Sequence, residues 1–222
     1  MKRWTCLDTA PMPDGQTISL YEHDGSYSVR IGAAELMSTR RHASEEKVGE
    51  LACAHAAGIR GARVLIGGLG FGFTLQAALS TLRSDAAVVV AEIQAAVIAW
   101  NRNPLLPLAA SAMADARVTV LREDVREVIR KSPGGFDSII LDVDNGPAAL
   151  STEGNRRLYD LEGLTMARGA LRPKGCLAVW SAGPDAGFGK LLARAGFAAE
   201  VQRCRAHAKS GGWHTVFLGR VR

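Results

Sequence analysis

Val64-Leu65-Ile66-Gly67-Gly68-Leu69-Gly70-Phe71-Gly72 is the stretch whose reading decides the fold. An apolar run ends in glycines at alternate positions, and Leu75, Ala78, Leu79 and Leu82 then recur at helical spacing over Thr74 to Leu82. The segment reads strand, glycine turn, helix. Glycine serves there because the chain turns with φ values that side chains disfavour, and because a Cβ would hold a ligand away from the backbone and the helix N-terminus. A dinucleotide fingerprint would place a third glycine at position 73, where this chain has Phe73, so Gly68-x-Gly70-x-Gly72 departs from the spacing that suits a pyrophosphate. The next apolar run, Ala87 to Ala91, ends in Glu92, an acidic side chain placed to accept both hydroxyls of a ribose. Together these features read as an adenosine site without a pyrophosphate.

Outward from the turn the alternation is regular. Strand 63–67, helix 74–83, strand 87–92 and a helix from Gln94 to about Asn101 are followed by a proline-containing connection, Asn103 to Met113. Strand 117–121, helix 125–131 and strand 136–142 come next. A longer helix then carries Leu158, Leu161, Leu164 and Leu171 near one face and leads to strand 176–181. Such alternation predicts an α/β fold, a mostly parallel sheet with helices on both faces. The end differs: helix 187–195, strand 199–207, and a Ser210-Gly211-Gly212 turn into strand 213–218, a terminal antiparallel hairpin of the methyltransferase-type Rossmann-like variant.

Towards the N-terminus, 17–20 and 27–31 are short β runs separated by His23-Asp24-Gly25-Ser26, a hairpin signal. A polar stretch 35–42 precedes Ser44, Glu45 and Glu46, an N-cap and acidic first turn for a helix that runs to about Gly58. The expected organisation is a small N-terminal β region, 1–42, and a nucleoside-binding domain, 43–222.

A chain of 222 residues with 47% hydrophobic content suffices for one core of ordinary size. The net charge of +5 comes from scattered Arg and Lys, and no basic block argues for nucleic acid. Cys6, Cys53, Cys176 and Cys204 are far apart and lack ligand spacing, so neither a metal site nor a disulfide framework is indicated. Without a signal-length apolar segment near Met1, or a run long enough to span a bilayer, the expectation is a cytoplasmic protein with no membrane partner.

Ligands in such sheets sit at the carboxyl ends of the strands, beside the switch point. Four acidic positions fall there: Glu92, Asp124, Asp142 and Asp144. Asp124 suits either the adenine amino group or, with Glu127, a capping box for the following helix. Ile139-Ile140-Leu141 carries Asp142 to the mouth of the sheet, where a carboxylate can hold an incoming amine and take its proton. Asp144-Asn145-Gly146-Pro147 then turns away over the same cleft. Tyr159 and Trp180 read as core aromatics, Ser181 as a turn or substrate residue, and His207 and His214 as lying away from the cleft.

The glycine loop, Glu92-Ile93, Glu123-Asp124, Phe136-Asp137-Ser138-Ile139-Ile140-Leu141-Asp142 and Gly146-Pro147-Ala148, preceded by the hairpin and the Ser44 to Glu50 helix, together resemble the spermidine synthase (polyamine aminopropyltransferase) family over about residues 17 to 182. The resemblance implies an adenosyl sulfonium donor, decarboxylated S-adenosylmethionine or S-adenosylmethionine itself, without a metal. It implies that Glu92 holds the ribose, Asp124 the adenine and the backbone of Gly68, Gly70 and Gly72 the thioether side. Asp142, with Asp144, would be catalytic toward a small-molecule amine, and Glu45, Glu50 and Asn145 would line the acceptor site. By analogy with the family the N-terminal hairpin is a homodimerisation element.

Three departures bear on the substrate. Phe71 stands where the family has an Asp, Val48-Gly49-Glu50 replaces Tyr-His-Glu, and the second Asp of Asp-x-x-Asp-Pro falls on Asn145. A polycation loses hydration on entering a groove with fewer carboxylates. Arg40 and Arg41, or Arg156 and Arg157, would oppose it further if they faced the cleft. The reading is aminopropyl transfer to an amine. Its alternatives are a methyltransferase acting on a small molecule and a nucleoside-binding homologue without activity.

Overall fold

The computed structural model describes residues 3–12, 15–143, 146–147, 153–207 and 212–222, the side chains of 153–155 excepted. The chain divides into two compact units, Met1–His42 and Ala43–Arg222.

The first unit is a four-stranded antiparallel sheet, β1 (Thr5–Pro11), β2 (Thr17–His23), β3 (Ser26–Ile31) and β4 (Ala34–Ser38), in that order. The hairpin between β2 and β3 closes through Asp24 (φ 49°) and Gly25 (φ 72°), the left-handed pair that a two-residue turn requires. The outer strands have no counterpart in the sequence reading. β1 is largely exposed on both faces, so its sequence lacks the alternation by which a half-buried strand is recognised. β4 lies in the stretch read as merely polar. Arg40 and Arg41 make their contacts within this unit, Arg40 to His23 and Ser26 and Arg41 to Glu35.

The second unit holds a seven-stranded sheet. It is built from β5 (Arg63–Gly67), β6 (Ala87–Ala91), β7 (Val118–Leu121), β8 (Phe136–Leu141), β9 (Leu171–Ser181), β10 (Phe197–Arg205) and β11 (Trp213–Val221), in the order β10-β11-β9-β8-β5-β6-β7. Strands β9, β8, β5, β6 and β7 run parallel, and β11 pairs antiparallel with β9 and with β10. The order reverses direction at β5 and β8, so the switch point falls where the glycine turn and Asp142 emerge. β8 is buried throughout, as a strand covered by helices on both faces must be.

The helices are α1 (Ala43–Cys53), α2 (Phe73–Thr81), α3 (Ala95–Arg102), α4 (Ala110–Met113), α5 (Val125–Arg130), α6 (Glu153–Tyr159), α7 (Leu161–Ala170) and α8 (Ala186–Arg194). The single long helix expected around Leu158 to Leu171 is two, because Asp160 leaves the helical path and caps α7 by accepting from Gly163 N at 2.8 Å. A Cβ on Gly163 would run into the carbonyls of Arg157 and Leu158, so only glycine lets the turn close this tightly. Leu171 begins β9 instead of ending a helix. One apolar cluster, with Val128, Ile129, Leu158, Leu164, Phe188, Leu192 and Phe217, packs beneath α5, α7 and α8.

At the opposite end of the sheet from the glycine turn, Asp137 ties β5 to β8. Its carboxylate accepts from Arg63 N and from Arg172 Nη1, each at 2.8 Å, which satisfies a nearly buried charge. Cys53 and Cys176 are free thiols that burial pushes up to about 12 and about 11, so neither supplies a thiolate near neutral pH. No helix among the described residues is long and apolar enough to cross a membrane.

Candidate active site

Parallel pairing sets three residues in one row. Gly67 is opposite Leu141 on β8 and Ala91 on β6, so the next residue of each strand, Gly68, Asp142 and Glu92, steps off the sheet at the same level. The ladder continues for one bond beyond the strands: Asp142 N donates to Gly67 O, Gly68 N to Ala91 O and Glu92 N to Leu121 O. A Cβ at Gly68, whose φ is +89°, would strike the carbonyl of Asp142, so the close approach of turn and strand end requires glycine. Gly70 (φ 52°) and Gly72 (φ 79°) complete the turn, and Gly72 is the N-cap of α2.

Glu92 is nearly buried, and its two carboxylate oxygens accept from Leu69 N at 2.9 Å and Gln94 N at 2.7 Å. Both bonds use backbone donors, so the side chain is fixed between the glycine turn and the start of α3. That anchoring holds a carboxylate, an acceptor for hydroxyl donors, at the mouth of the sheet. The turn has a second support that the sequence reading missed. Asn101, buried in α3, donates to Gly70 O at 2.8 Å and accepts from Ala109 N at 3.2 Å, tying the connection after α3 to the turn. An Asn on an otherwise apolar helix face was the available signal.

Asp124 is exposed at the mouth of β7 and caps α5 by accepting from Arg126 N at 2.8 Å. The capping box is not formed, because Glu127 pairs with Arg130 at 2.7 Å instead of reaching back. The second oxygen of Asp124 is not used by the cap.

On the other side of Gly68, Asp142 meets two helices. Its Oδ2 is 2.6 Å from Thr74 Oγ1 in the first turn of α2, and the same hydroxyl is 3.1 Å from the backbone oxygen of Glu45 in α1. What brings α1 this close is Gly49, where a Cβ would lie 2.7 Å from Thr74 O and 2.9 Å from Ala77 Cβ. Burial pushes the Asp142 carboxyl up to about 6, against the lowering effect of the Thr74 bond. Burial, with the negative charge of Asp142 added, pushes Glu45 up to about 7. Two carboxyl groups with such values exchange protons near neutral pH, the range in which a base for an ammonium group is useful.

Glu45 and Asp142 are thus brought together, whereas Glu50 is exposed and ion-paired with Lys47 at 2.9 Å. Asp144 and Asn145 lie outside the described residues. His214, read from sequence as remote, is instead at the site's edge: its Nδ1 is 2.8 Å from Ser44 Oγ, which is 2.5 Å from Glu45 Oε2. Trp180 sets its ring edge-to-face against His214 with centroids 4.8 Å apart. Tyr159 is a core aromatic whose hydroxyl donates to Val143 O, and Ser181 serves the turn after β9 by donating to Gly183 O. Phe71 is buried, so no side chain from that position enters the cleft as a charge. Among the described residues no cluster of His, Cys, Asp or Glu has a metal-binding arrangement.

The architecture matches solved proteins over nearly the whole chain. The spermidine synthase from Thermotoga maritima superposes with a TM-score of 0.75 at 20% identity, covering 97% of this chain and 72% of that one. The fold is that of the spermidine synthases. A spermidine synthase in complex with the transition-state analogue AdoDATO gives the same TM-score at 17% identity and the same coverage. In sequence, 121 residues, 52% of this chain, are 36% identical to polyamine aminopropyltransferase 2 of Pseudomonas aeruginosa. The chain spans about a third (32%) of the length of that relative. No family model matches. Relative to the spermidine synthase motif, the glycine at position 49 now has a physical role, since it admits α2 to the helix that carries Glu45.

Proposed function

We propose that this chain is a spermidine synthase-like transferase that binds an adenosyl sulfonium donor, decarboxylated S-adenosylmethionine, and moves its aminopropyl group to a small amine. The observation that carries the reading is the row Glu92, Gly68, Asp142, with Glu45 folded over its end. Glu92 would hold the ribose hydroxyls, the exposed Asp124 the adenine amino group, and the glycine turn would admit the donor close to the backbone. The donor supplies an electrophilic carbon on a positively charged sulfur. Asp142 and Glu45 would hold the acceptor ammonium and take one proton from it, freeing the nitrogen lone pair. As the N–C bond forms and the C–S bond breaks, the electron pair stays on sulfur and leaves a neutral thioether nucleoside. Positioning and desolvation then carry most of the rate.

The acceptor would be less highly charged than a long polyamine, because Phe71 and Val48 stand where the family's motifs carry an Asp and a Tyr, and a polycation needs several carboxylates to offset its lost hydration.

Phe71 supports a second reading, methyl transfer from ordinary S-adenosylmethionine, because an apolar buried residue at that position provides no charge to select the decarboxylated donor. Calorimetry with decarboxylated S-adenosylmethionine, S-adenosylmethionine and methylthioadenosine separates the two. Tenfold preference for the decarboxylated donor, about 1.4 kcal/mol, is the expected result. Preference for the carboxylated donor would favour methyl transfer, and binding of none would overturn both.

A further inference from the structure

Ser44 is fully buried in the first turn of α1, with Glu45 Oε2 at 2.5 Å and His214 Nδ1 at 2.8 Å from its hydroxyl oxygen. A hydroxyl carries one proton, so only two arrangements satisfy both contacts. In the first, Glu45 is ionised and accepts from Ser44, which accepts from a protonated Nδ1. In the second, the Glu45 carboxylic acid donates to Ser44, whose own proton goes to a bare Nδ1. The two differ only in which end of the chain holds one proton.

We propose that Ser44 and His214 form the proton outlet of the Glu45–Asp142 pair, carrying to solvent the proton that each turnover releases. This rests on the reading that the pair deprotonates an amine acceptor. The proton enters the two-carboxylate pair and leaves from Glu45 Oε2: it passes to Ser44 Oγ as the Ser44 proton passes to Nδ1. His214 thereby becomes an imidazolium. It then gives up one proton to water, its ring being partly exposed, and returns to the neutral form with a bare Nδ1. Trp180 fixes the ring from one side. Neither Ser44 nor His214 is placed against substrate; both are positioning residues that act through Glu45.

Among the described residues, charged and titratable groups around the relay come from α1, the end of β8 and β10. Glu46 and Asp142 act on Glu45 from α1 and from the end of β8. Cys204 faces His214 across the β10–β11 pair and is pushed up by burial and by Glu45, with Lys47 opposing. Arg203 and Arg205 of β10 stack on Trp213 of β11.

Two arms test the outlet in the full chain. By nitrogen-detected NMR, the Nδ1 of His214 is expected to titrate with a second inflection that follows Glu45, and Glu45→Gln or Ser44→Ala should each abolish it. A single inflection unaffected by either substitution would overturn the relay, whatever donor the protein binds. In the second arm, with decarboxylated S-adenosylmethionine and 1,4-diaminobutane, His214→Gln keeps an amide for Ser44 but no titrating base. It should lower kcat by about 10- to 100-fold with KM unchanged, and His214→Ala should regain rate as imidazole is added. A His214→Gln variant as fast as wild type, or a His214→Ala variant that imidazole does not rescue, would overturn it. No turnover in the wild type would count against aminopropyl transfer, and the NMR arm would then decide the relay by itself.

Discussion

The hydroxyl of Thr74 stands 2.6 Å from Oδ2 of Asp142 and is shared with the backbone oxygen of Glu45. One side chain in the first turn of α2 thereby links the strand end to the helix that folds over it. Its proton stabilises the ionised form of Asp142, so the acidity of that carboxyl is set partly by a residue on a neighbouring helix.

Thr74→Val removes that hydrogen bond at nearly constant volume. A bond to a charged group contributes about 1.5–3 kcal/mol, or roughly one to two pKa units. Asp142, already pushed up to about 6, should rise further, and the alkaline shift of the kcat/KM profile measures it. An unchanged profile would exclude Asp142 as the group that the profile reports.

The pair also makes stability depend on pH in a definite direction. Glu45 rises from 4.5 to about 7 and Asp142 from 3.8 to about 6, so between about pH 4 and pH 7 the folded chain binds more protons than the unfolded one. The contribution of the pair is therefore most favourable below about pH 4 and is lost as pH rises through the folded values. Glu45→Gln should raise Tm at pH 8 by on the order of 2–4 °C per kcal/mol recovered, and should give no comparable gain at pH 4. Melting curves at the two pH values check the difference.

Gly49→Ala places a methyl group 2.7 Å from Thr74 O and 2.9 Å from Ala77 Cβ. Relief requires α1 to move off α2, at a cost of about 1–3 kcal/mol. Thermal unfolding should register that loss, and the displacement of Glu45 should bring its carboxyl back toward its ordinary range.

Glu92→Gln replaces two acceptors by one acceptor and one donor, so either Leu69 N or Gln94 N faces an amide NH₂ group. The lost bond and the lost charge should weaken methylthioadenosine binding about tenfold or more by calorimetry. Glu50→Ala is the contrasting case. Its exposed pair with Lys47 contributes about 0–1 kcal/mol, and acceptor KM should stay within about twofold.

The parallel core was legible because its signals are local. Strand β5 and the positions of Gly68, Gly70 and Gly72 follow from an apolar run and from backbone conformations that only glycine adopts readily. Glu92 and Asp142 followed from the same logic, being the first polar residues after buried strands. β1 and β4 escaped because edge strands with little burial carry no apolar alternation. The break at Asp160 escaped because helical spacing continues in sequence across a point where the chain turns.

By itself, then, the sequence determined which residues end the strands and therefore line the mouth of the sheet. Tertiary structure decided which of them meet. Glu45 and Glu50 share one helix and the same expected role, yet Gly49 packing on Thr74 directs Glu45 to Asp142 while Glu50 points to solvent. His214 joins them because antiparallel pairing of β11 with β9 returns the end of the chain to the site, where it meets Ser44. Such contacts depend on sheet register and on how closely two helices approach, and neither is encoded in the spacing of residues along a single segment.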